Sequence, residues 1–399
     1  MLDTFAKLYF NAPDMIPGLD GLRAIAFLLV FLFHTEFLQI GWVGVSLFFV
    51  LSGFLITGIL LDMKKSLSAR DYFFKFYGRR FLRIFPLYYF YLILMTVVVT
   101  WLISILYRPL YMQIFLDQVK YAVFYVYDFI FGTIDFKHSF FLDHFWSLSV
   151  EEQFYIFWPL LILLVPEKAL KNLFLGFIML GPIFRLAFFF IHQSGVFRFL
   201  ADTAPLAIFP LPFSYMDAFA FGAYISRFHI PKAKEQFFLL IVFLPLVGFA
   251  SQYLATGEVG AISAFGFPFA LPNAYQFVWG YTLLNYFFAV IIYLVSKHQF
   301  FNHFLEWSPL RYLGKISYGL YVYHSPIIWF STRLRDFGLE GPFAKPVIAV
   351  LSFVATLLVA SISYKVLEKP LLNLKDRFFN LNQESVKKGL RKPLESDLS

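Results

Sequence analysis

The sequence predicts an all-α, polytopic integral membrane protein with about ten transmembrane helices and both termini in the cytoplasm. Composition is the first reason: 60% of the 399 residues are hydrophobic, only 15% are charged, and 57 are phenylalanine. The second is that the apolar residues gather in runs of about 17 to 25, the length that crosses a bilayer as a helix. This much apolar surface exceeds what one soluble core can bury, so lipid must cover the remainder.

Ten apolar runs are the predicted spans. They lie near residues 22–41, 43–61, 84–106, 145–166, 172–192, 207–226, 236–254, 276–296, 316–332 and 346–367. With the N-terminus in the cytoplasm, most of the 33 lysines and arginines fall in inner loops and tails, which agrees with the positive-inside rule. The aromatic segment 114–132 carries Asp117, Lys120 and Asp128. We therefore expect it to lie at the outer surface as an interfacial or re-entrant piece.

Residues 1–378 are predicted to form one membrane domain, and residues 379–399 a polar, basic cytoplasmic tail. The first apolar run lacks a small-residue cleavage site, so we expect it to be retained as a helix. The chain contains no cysteine, which excludes disulfides, thiolate metal sites and a cysteine nucleophile. We expect no metal site, no permanently bound cofactor and no nucleic-acid partner. The oligomeric state is left open.

The first predicted helix carries two ionisable residues, Arg23 and His34, in an otherwise apolar run. Ionisable side chains inside a membrane are costly and usually serve a function. Eleven positions separate the two residues, or about 16 Å along a helix, so we expect Arg23 at the inner end and His34 near mid-membrane. A neutral imidazole near a carboxylate suits a general base. His34 is therefore the predicted catalytic residue.

Other ionisable residues are expected at intermediate depth. Glu151 lies about 9 Å inward from the start of the fourth predicted helix and could approach His34. His324 belongs to the ninth helix, and Arg185 and Asp217 to the fifth and sixth. For Arg185 and Asp217 a simple interhelical pair is the favoured alternative. Glu152 is expected to be solvated near the outer interface.

A basic segment precedes the third predicted helix and contains Lys75, Arg79, Arg80 and Arg83. Arg80 and Arg83 are three positions apart, so on a helix they share a face and could bind one polyanion such as a diphosphate. The alternative is a loop that fixes topology and binds lipid headgroups.

In the second helix, small residues around Ser52 and Gly53 are best explained by close helix packing.

Five motifs, in order, resemble the membrane-bound acyltransferase 3 family over most of the chain. They are Arg23 followed after ten residues by His34, Phe-Phe-Val-Leu-Ser52-Gly53-Phe-Leu-Ile, Arg80-Phe-Leu-Arg83-Ile-Phe-Pro, Phe-Trp146-Ser-Leu-Ser-Val-Glu151-Glu-Gln-Phe-Tyr, and Ser317-Tyr318-Gly-Leu-Tyr-Val-Tyr-His324-Ser-Pro. A late Leu367-Glu-Lys-Pro370 is also similar to the end signature of the family. Five motifs at matching helical positions are far more specific than any one of them.

The resemblance implies transfer of an acyl group, commonly acetyl, from cytoplasmic acyl-CoA to a hydroxyl of a carbohydrate or glycolipid acceptor of the bacterial cell envelope. It implies a multi-pass protein of the inner (plasma) membrane, in contact with membrane lipids and of the stand-alone type without a fused extracytoplasmic hydrolase-like domain. His34 and Glu151 would be catalytic: His34 as a general base, or alternatively as a residue that is acylated first, and Glu151 as the group that orients His34 or balances its charge. Arg23, Arg80 and Arg83 would bind acyl-CoA as a co-substrate. The supporting residues would be Ser52, Gly53, Trp146, Arg185, Asp217, Ser317, Tyr318 and His324.

A membrane transporter would also account for the predicted helices and for the buried charges. A polytopic transporter or lipid-linked glycan flippase would also place ionisable residues near the midplane of its bundle. The inverted repeats and paired broken helices typical of such proteins are not evident in the sequence. Binding of CoA at the basic face would distinguish the two classes, since a transporter has no reason to bind it.

Overall fold

The structure is a computed structural model that describes residues 17–379, and these residues are almost entirely helical, without a named strand. The predicted cytoplasmic tail, apart from its first residue, lies outside the described residues. In chain order the helices are α1 (Pro17–His34), α2 (Gly44–Ser66), α3 (Ala69–Ser104), α4 (Pro109–Val123), α5 (Tyr127–Phe131), α6 (Phe145–Leu164), α7 (Leu170–Gln193), α8 (Ala204–Ile208), α9 (Met216–Arg227), α10 (Ala233–Thr256), α11 (Gln276–His298), α12 (Asn302–Leu305), α13 (Ser308–Lys315), α14 (Ser317–Thr332), α15 (Ala344–Ser363) and α16 (Lys369–Phe378).

Seven helical segments of the described chain are long and apolar enough to cross a membrane. They are Gln39–Ser66, Ala69–Ser104, Phe145–Leu164, Glu167–Gln193, Ala233–Thr256, Gln276–His298 and Ala344–Leu374. The other three predicted spans are helical at α1, α9 and α14, with 18, 12 and 16 residues. Helix α9 is short because prolines at 205, 210 and 212 precede it, and proline cannot donate the backbone hydrogen bond that a continuous helix needs.

Helix α1 ends at His34 and does not continue to residue 41 as predicted. Two backbone bonds close it, from Glu36 N to Phe33 O at 2.9 Å and from Phe37 N to Leu32 O at 2.9 Å. Glu36 has a φ of 61°, so these bonds form a left-handed Schellman end. Glycine is the usual residue at this position, so a glutamate there does not indicate the end of a helix. The consequence is that His34 occupies the last turn of its helix.

Helix α3 begins earlier than predicted, at Ala69, and absorbs the segment expected to be a cytoplasmic loop. The Ser68 side chain accepts a hydrogen bond from Asp71 N at 3.2 Å and donates to the Asp71 carboxylate at 3.0 Å. Serine at the cap position with an acidic residue three positions later is a recognised helix start. Arg80 and Arg83 therefore lie on a continuous helix and are held by its backbone.

The aromatic segment 114–132, which was not predicted to span the membrane, forms most of α4 and all of α5. Helix α4 has 15 residues, fewer than the roughly 20 that cross a bilayer. It lies against α3, where the Tyr88 and Tyr89 hydroxyls donate to the Ala122 and Val123 carbonyls at 2.6 and 3.0 Å.

Helices α2 and α9 approach each other closely at two glycines. A Cβ atom added to Gly53 would stand 2.1 Å from Phe219 O, and one added to Gly222 would stand 2.1 Å from Val50 O. Only glycine allows the two backbones this separation, and the expectation of close packing around Gly53 is confirmed. Near the other end of the chain, α15 runs into a π-helical turn at Tyr364–Glu368 before α16 begins.

Candidate active site

Three imidazoles, of His34, His144 and His324, meet where the last turn of α1, the start of α6 and the middle of α14 come together. We refer to them as the histidine cluster. His144 and His324 are buried, with 2% and 0% exposure, whereas His34 is half-buried. The His324 Nε2 atom lies 3.1 Å from His34 Nδ1, and the ring centroids of His144 and His324 are 5.2 Å apart.

Each ring also contacts a backbone carbonyl. His34 Nδ1 is 3.0 Å from Val30 O, His324 Nδ1 is 2.6 Å from Tyr321 O, and His144 Nε2 is 3.0 Å from Val322 O. His144 Nδ1 is buried and makes no hydrogen bond to any described residue. Within residues 17–379, no group of three histidine, aspartate or glutamate side chains is placed so that it could hold a metal ion.

A carboxylate lies beside the histidine cluster, in the loop that leads into α6. Asp143 accepts hydrogen bonds from Ser139 N at 2.8 Å and from the His138 ring at 3.2 Å, and its charge acts on the His34 imidazole. The bond to Asp143 raises the pKa of His138 above its usual value because it favours the protonated ring. Neither His138 nor Asp143 was singled out from the sequence.

The second group consists of Arg23, Arg80 and Arg83, which we refer to as the arginine cluster. Arg23 donates to Asp20 at 2.7 Å. Arg80 lies over the Tyr155 ring, 5.4 Å from its centroid, and its buried Nε atom has no hydrogen-bond partner among the described residues. Arg83 is within electrostatic range of both other arginines. The structure therefore brings the three arginines near one another, and their binding of acyl-CoA stays a prediction.

Glu151 lies with the arginine cluster and makes no hydrogen bond to His34. It accepts one hydrogen bond from Ser52 Oγ at 2.5 Å and another from the Tyr155 hydroxyl. Tyr155 is four positions after Glu151, so both occupy one face of α6. The expectation that Glu151 orients His34 has no contact to support it, since the side chain bonded to the His34 ring is His324. Glu152, expected in water, is 9% exposed, and that expectation is wrong.

Arg185 and Asp217 form an ion pair of their own, with both side chains fully buried. Arg185 Nη2 donates to Asp217 Oδ2 at 2.8 Å, and its Nε donates to Val278 O at 3.1 Å. Thr282 and Asn285 of α11 donate to the same carboxylate at 2.6 and 3.1 Å. The interpretation of Arg185 and Asp217 as an interhelical structural pair fits these contacts, and the structure brings neither residue to the histidine cluster by a hydrogen bond.

The remaining predicted residues have structural surroundings. Trp146 is buried among aromatic rings, with Phe209 at 4.6 Å and Tyr215 at 5.6 Å between centroids. Ser317 is buried at the start of α14, and the Tyr318 hydroxyl donates to Ile84 O of α3 at 3.0 Å.

One face of α14 joins the two clusters. Tyr318, Tyr321 and His324 are three positions apart in turn, so they follow one side of the helix over about 9 Å. The Tyr321 hydroxyl is 2.6 Å from Ser147 Oγ and lies within electrostatic range of Glu151. Sequence reasoning missed Tyr321, Tyr155 and His144. Tyr321 is three positions before His324, and Tyr155 is four positions after Glu151. Both spacings place the tyrosine on the same helix face as the predicted site residue, and they could have identified the two tyrosines.

Comparison with known proteins places the chain in a family. The family profile described as an acyltransferase domain matches residues 16–365. The chain is 30% identical over 383 residues to the O-acetyltransferase OatA of Staphylococcus aureus (strain NCTC 8325 / PS 47), covering 92% of this chain and 58% of that protein. It is 29% identical over 385 residues to the putative peptidoglycan O-acetyltransferase YrhL of Bacillus subtilis (strain 168), covering 89% of this chain and 55% of the relative.

A third relative is the peptidoglycan O-acetyltransferase OatA of Listeria monocytogenes serovar 1/2a, which is 27% identical over 89% of this chain and 56% of its own length. The chain thus spans less than two thirds of these curated relatives. No solved structure matches it. The profile match over nearly the whole chain, together with the several apolar spanning helices, shows that this is a multi-pass bacterial membrane protein belonging to the membrane-bound acyltransferase 3 family.

Proposed function

We propose that the protein transfers an acetyl group from cytoplasmic acyl-CoA to a hydroxyl of a cell-wall carbohydrate. The observation that carries the proposal is the placement of the two clusters on α1: Arg23 and His34 are eleven positions apart, about 16 Å along the helix. A polyanion held at one end can thus present a reactive group to a base at the other. The acceptor class follows the names of two relatives, which are peptidoglycan O-acetyltransferases.

The arginine cluster is the proposed binding site for the phosphates of acyl-CoA. These phosphates are multiply charged and cannot enter lipid, so they remain at the cytoplasmic end of the bundle while the pantetheine arm extends inward. Arg80 offers a buried Nε atom without a partner, and Arg83 makes no hydrogen bond to any described residue. Guanidinium groups suit phosphate because they donate in a planar fork. Glu151 balances part of this positive charge. Its hydrogen bonds to Ser52 and Tyr155 hold its carboxylate in place on the inner side of the proposed phosphate site.

His34 is the proposed general base. It removes the proton of the acceptor hydroxyl while the acceptor oxygen forms a bond to the acetyl carbonyl carbon. The carbon–sulfur bond of the thioester then breaks, and the imidazolium returns the proton to the CoA thiolate. His34 stands in the last turn of α1, where the negative end of the helix dipole favours the positive charge that develops on the ring. Transport is not favoured as an alternative, because the family match is to acyltransferases.

The test uses the full chain in lipid vesicles with radiolabelled acetyl-CoA and soluble peptidoglycan fragments as the acceptor. Binding of acetyl-CoA and transfer of the label are measured separately for the wild type, His34→Gln and the double variant Arg80→Gln/Arg83→Gln. We expect His34→Gln to bind the donor normally and to lose about 10² to 10⁴-fold in kcat, the contribution of a general base. The double arginine variant should raise the Kd for acetyl-CoA.

The matched control is Lys168→Gln/Lys171→Gln, which removes two exposed cytoplasmic charges outside the arginine cluster. Its Kd for acetyl-CoA should equal that of the wild type, because these lysines only contribute to the general surface charge. A wild type that neither binds acetyl-CoA nor releases CoA would overturn the proposal. Labelled His34, isolated after rapid quenching, would replace direct transfer by a two-step route through an acetylated imidazole.

A further inference from the structure

We propose that His324 is a positioning residue that holds His34 in the tautomer with the proton on Nδ1, so that Nε2 carries the reactive lone pair. The proposal rests on the proposed function in that His34 is taken as the base. It replaces the expected role of Glu151 with that of a neutral imidazole. The tautomer of His34 is determined by which atoms near the two rings can donate a hydrogen bond and which can accept one.

The protonation of His324 follows from its own carbonyl partner. Its Nδ1 atom is 2.6 Å from Tyr321 O, and a carbonyl oxygen can only accept, so Nδ1 carries a proton. The ring is fully buried, with two other imidazoles and no hydrogen-bonded carboxylate beside it, which disfavours a second proton and a positive charge. We therefore assign Nε2 of His324 as an unprotonated acceptor.

The position of the proton on the His34 ring follows from the position of the proton on His324. His34 Nδ1 faces two acceptors, Val30 O at 3.0 Å and His324 Nε2 at 3.1 Å. A lone pair on Nδ1 would face two other acceptor atoms, Val30 O and His324 Nε2, and would leave the buried His324 Nε2 without a donor. A proton on Nδ1 satisfies both neighbours. The remaining nitrogen of His34, Nε2, then holds a lone pair and has no hydrogen-bond partner among the described residues.

The surroundings hold His324 in this orientation. The Phe27 ring of α1 meets it edge to face, with centroids 5.9 Å apart, and the His144 ring packs against its other side at 5.2 Å. Rotation of the His324 ring by half a turn would place a carbon atom where Nδ1 now lies and so break the bond to Tyr321 O. The tautomer of His34 is thus fixed by packing on a different helix.

This arrangement determines the route of the proton. Among the described residues, the backbone partners of the His324 ring are the carbonyls of Tyr321 and Leu320. A carbonyl cannot pass a proton on, so the two rings do not form a relay through the protein. The proton that His34 Nε2 takes from the acceptor hydroxyl must leave from the same atom to the CoA thiolate. The acceptor hydroxyl and the thioester sulfur must therefore approach the same atom, His34 Nε2, one after the other.

Two variants separate the positioning role from packing. In His324→Gln the amide oxygen reaches the place of Nε2 and can accept from His34 Nδ1. In His324→Asn the shorter amide can still donate to Tyr321 O but does not reach His34. We expect kcat of His324→Gln to stay within about tenfold of the wild type and that of His324→Asn to fall about 10²-fold, with unchanged KM for acetyl-CoA.

The second readout needs no substrate. Nitrogen-15 spectra of the wild type with labelled histidine, with His34 identified by its loss in His34→Gln, should show its Nε2 unprotonated and its Nδ1 protonated, and His324→Asn should add signal from the opposite tautomer. A wild type with the proton on Nε2 of His34 would overturn the proposal even if transfer is normal. Equal loss of kcat in both variants with an unchanged tautomer would make His324 a packing residue. Absence of acetyl transfer in the wild type would instead contradict only the proposed function.

Discussion

The Arg185–Asp217 pair and the histidine cluster are both polar groups buried in one helical bundle, yet they differ in how completely their hydrogen bonds are made. Arg185 donates from all three of its nitrogen atoms to Val278, Ser214, Asp217 and Thr282. The histidine cluster leaves Nδ1 of His144 unpartnered, and one nitrogen of His34 is open. A saturated group can only hold helices together, whereas an open one can take part in chemistry.

The difference has an energetic cause. A buried charge without a partner is strongly destabilising, so an ion pair in the bundle must be almost fully bonded. A neutral imidazole has a much smaller cost of burial and can leave a lone pair unbonded. Depth in the membrane alone therefore does not indicate function; the unused hydrogen-bonding capacity of the group does.

The largest effect should come from breaking the saturated pair. Arg185→Met leaves the Asp217 carboxylate buried without its cation, and we expect the free energy of unfolding to fall by about 3–5 kcal/mol. Unfolding of the purified protein in detergent, followed by circular dichroism, measures this. The surviving folded fraction should transfer acetyl at the normal rate per molecule.

The control is the double variant Arg185→Met/Asp217→Leu, which removes both charges and should recover much of the lost stability. A single variant within about 1 kcal/mol of the wild type would show that the pair is not the structural anchor described above.

A smaller effect should come from Gly53, where α2, which carries Ser52, touches α9, which carries Asp217. Gly53→Ala forces a Cβ atom to within 2.1 Å of Phe219 O, so the two helices must move apart. We expect a loss of about 1–3 kcal/mol in the same unfolding assay, together with reduced transfer because Ser52 holds Glu151.

Gly176→Ala is the matched control, because nothing lies within 4 Å of the added Cβ atom. Alanine should there be neutral or stabilise the helix by up to about 1 kcal/mol. Equal stability changes at the two positions would contradict the close approach of α2 and α9.

The smallest effect should come from an exposed pair, His138 and Asp143, whose ring and carboxylate are 3.2 Å apart. The pKa of His138 is raised in the folded protein by Asp143, so its stabilising contribution is complete below pH 6.5 and is lost as the pH rises through the folded pKa. Because His138 is largely exposed and screened, we expect less than about 1 kcal/mol. The stability difference between the wild type and His138→Gln should shrink from pH 6 to about pH 9; a difference that grows with pH would contradict the pairing.

Local patterns in the sequence predicted the membrane class, most of the helices and the shared face of Arg80 and Arg83, because each depends on neighbours a few positions apart. The helical start at Ser68 and Asp71 was also readable, and the helix it begins contains both arginines. The stop at Glu36 was not, since a glutamate rarely adopts that backbone conformation. The bond between His34 and His324 joins residues 290 positions apart, and helical spacing carries no information about such pairs.

The π-helical turn at Tyr364–Glu368 has a consequence for insertions and deletions. A π turn holds one residue more than an α turn, so everything after it is rotated about the helix axis relative to a regular α-helix. Here the extra residue brings Glu368 inward, where it is 8% exposed, close to Gly319 and within electrostatic range of Arg83. Removing one residue between 364 and 368 would regularise the helix and turn this carboxylate by about 100° away from its present direction. The number of residues in this one turn thus determines whether Glu368 stays within electrostatic range of Arg83.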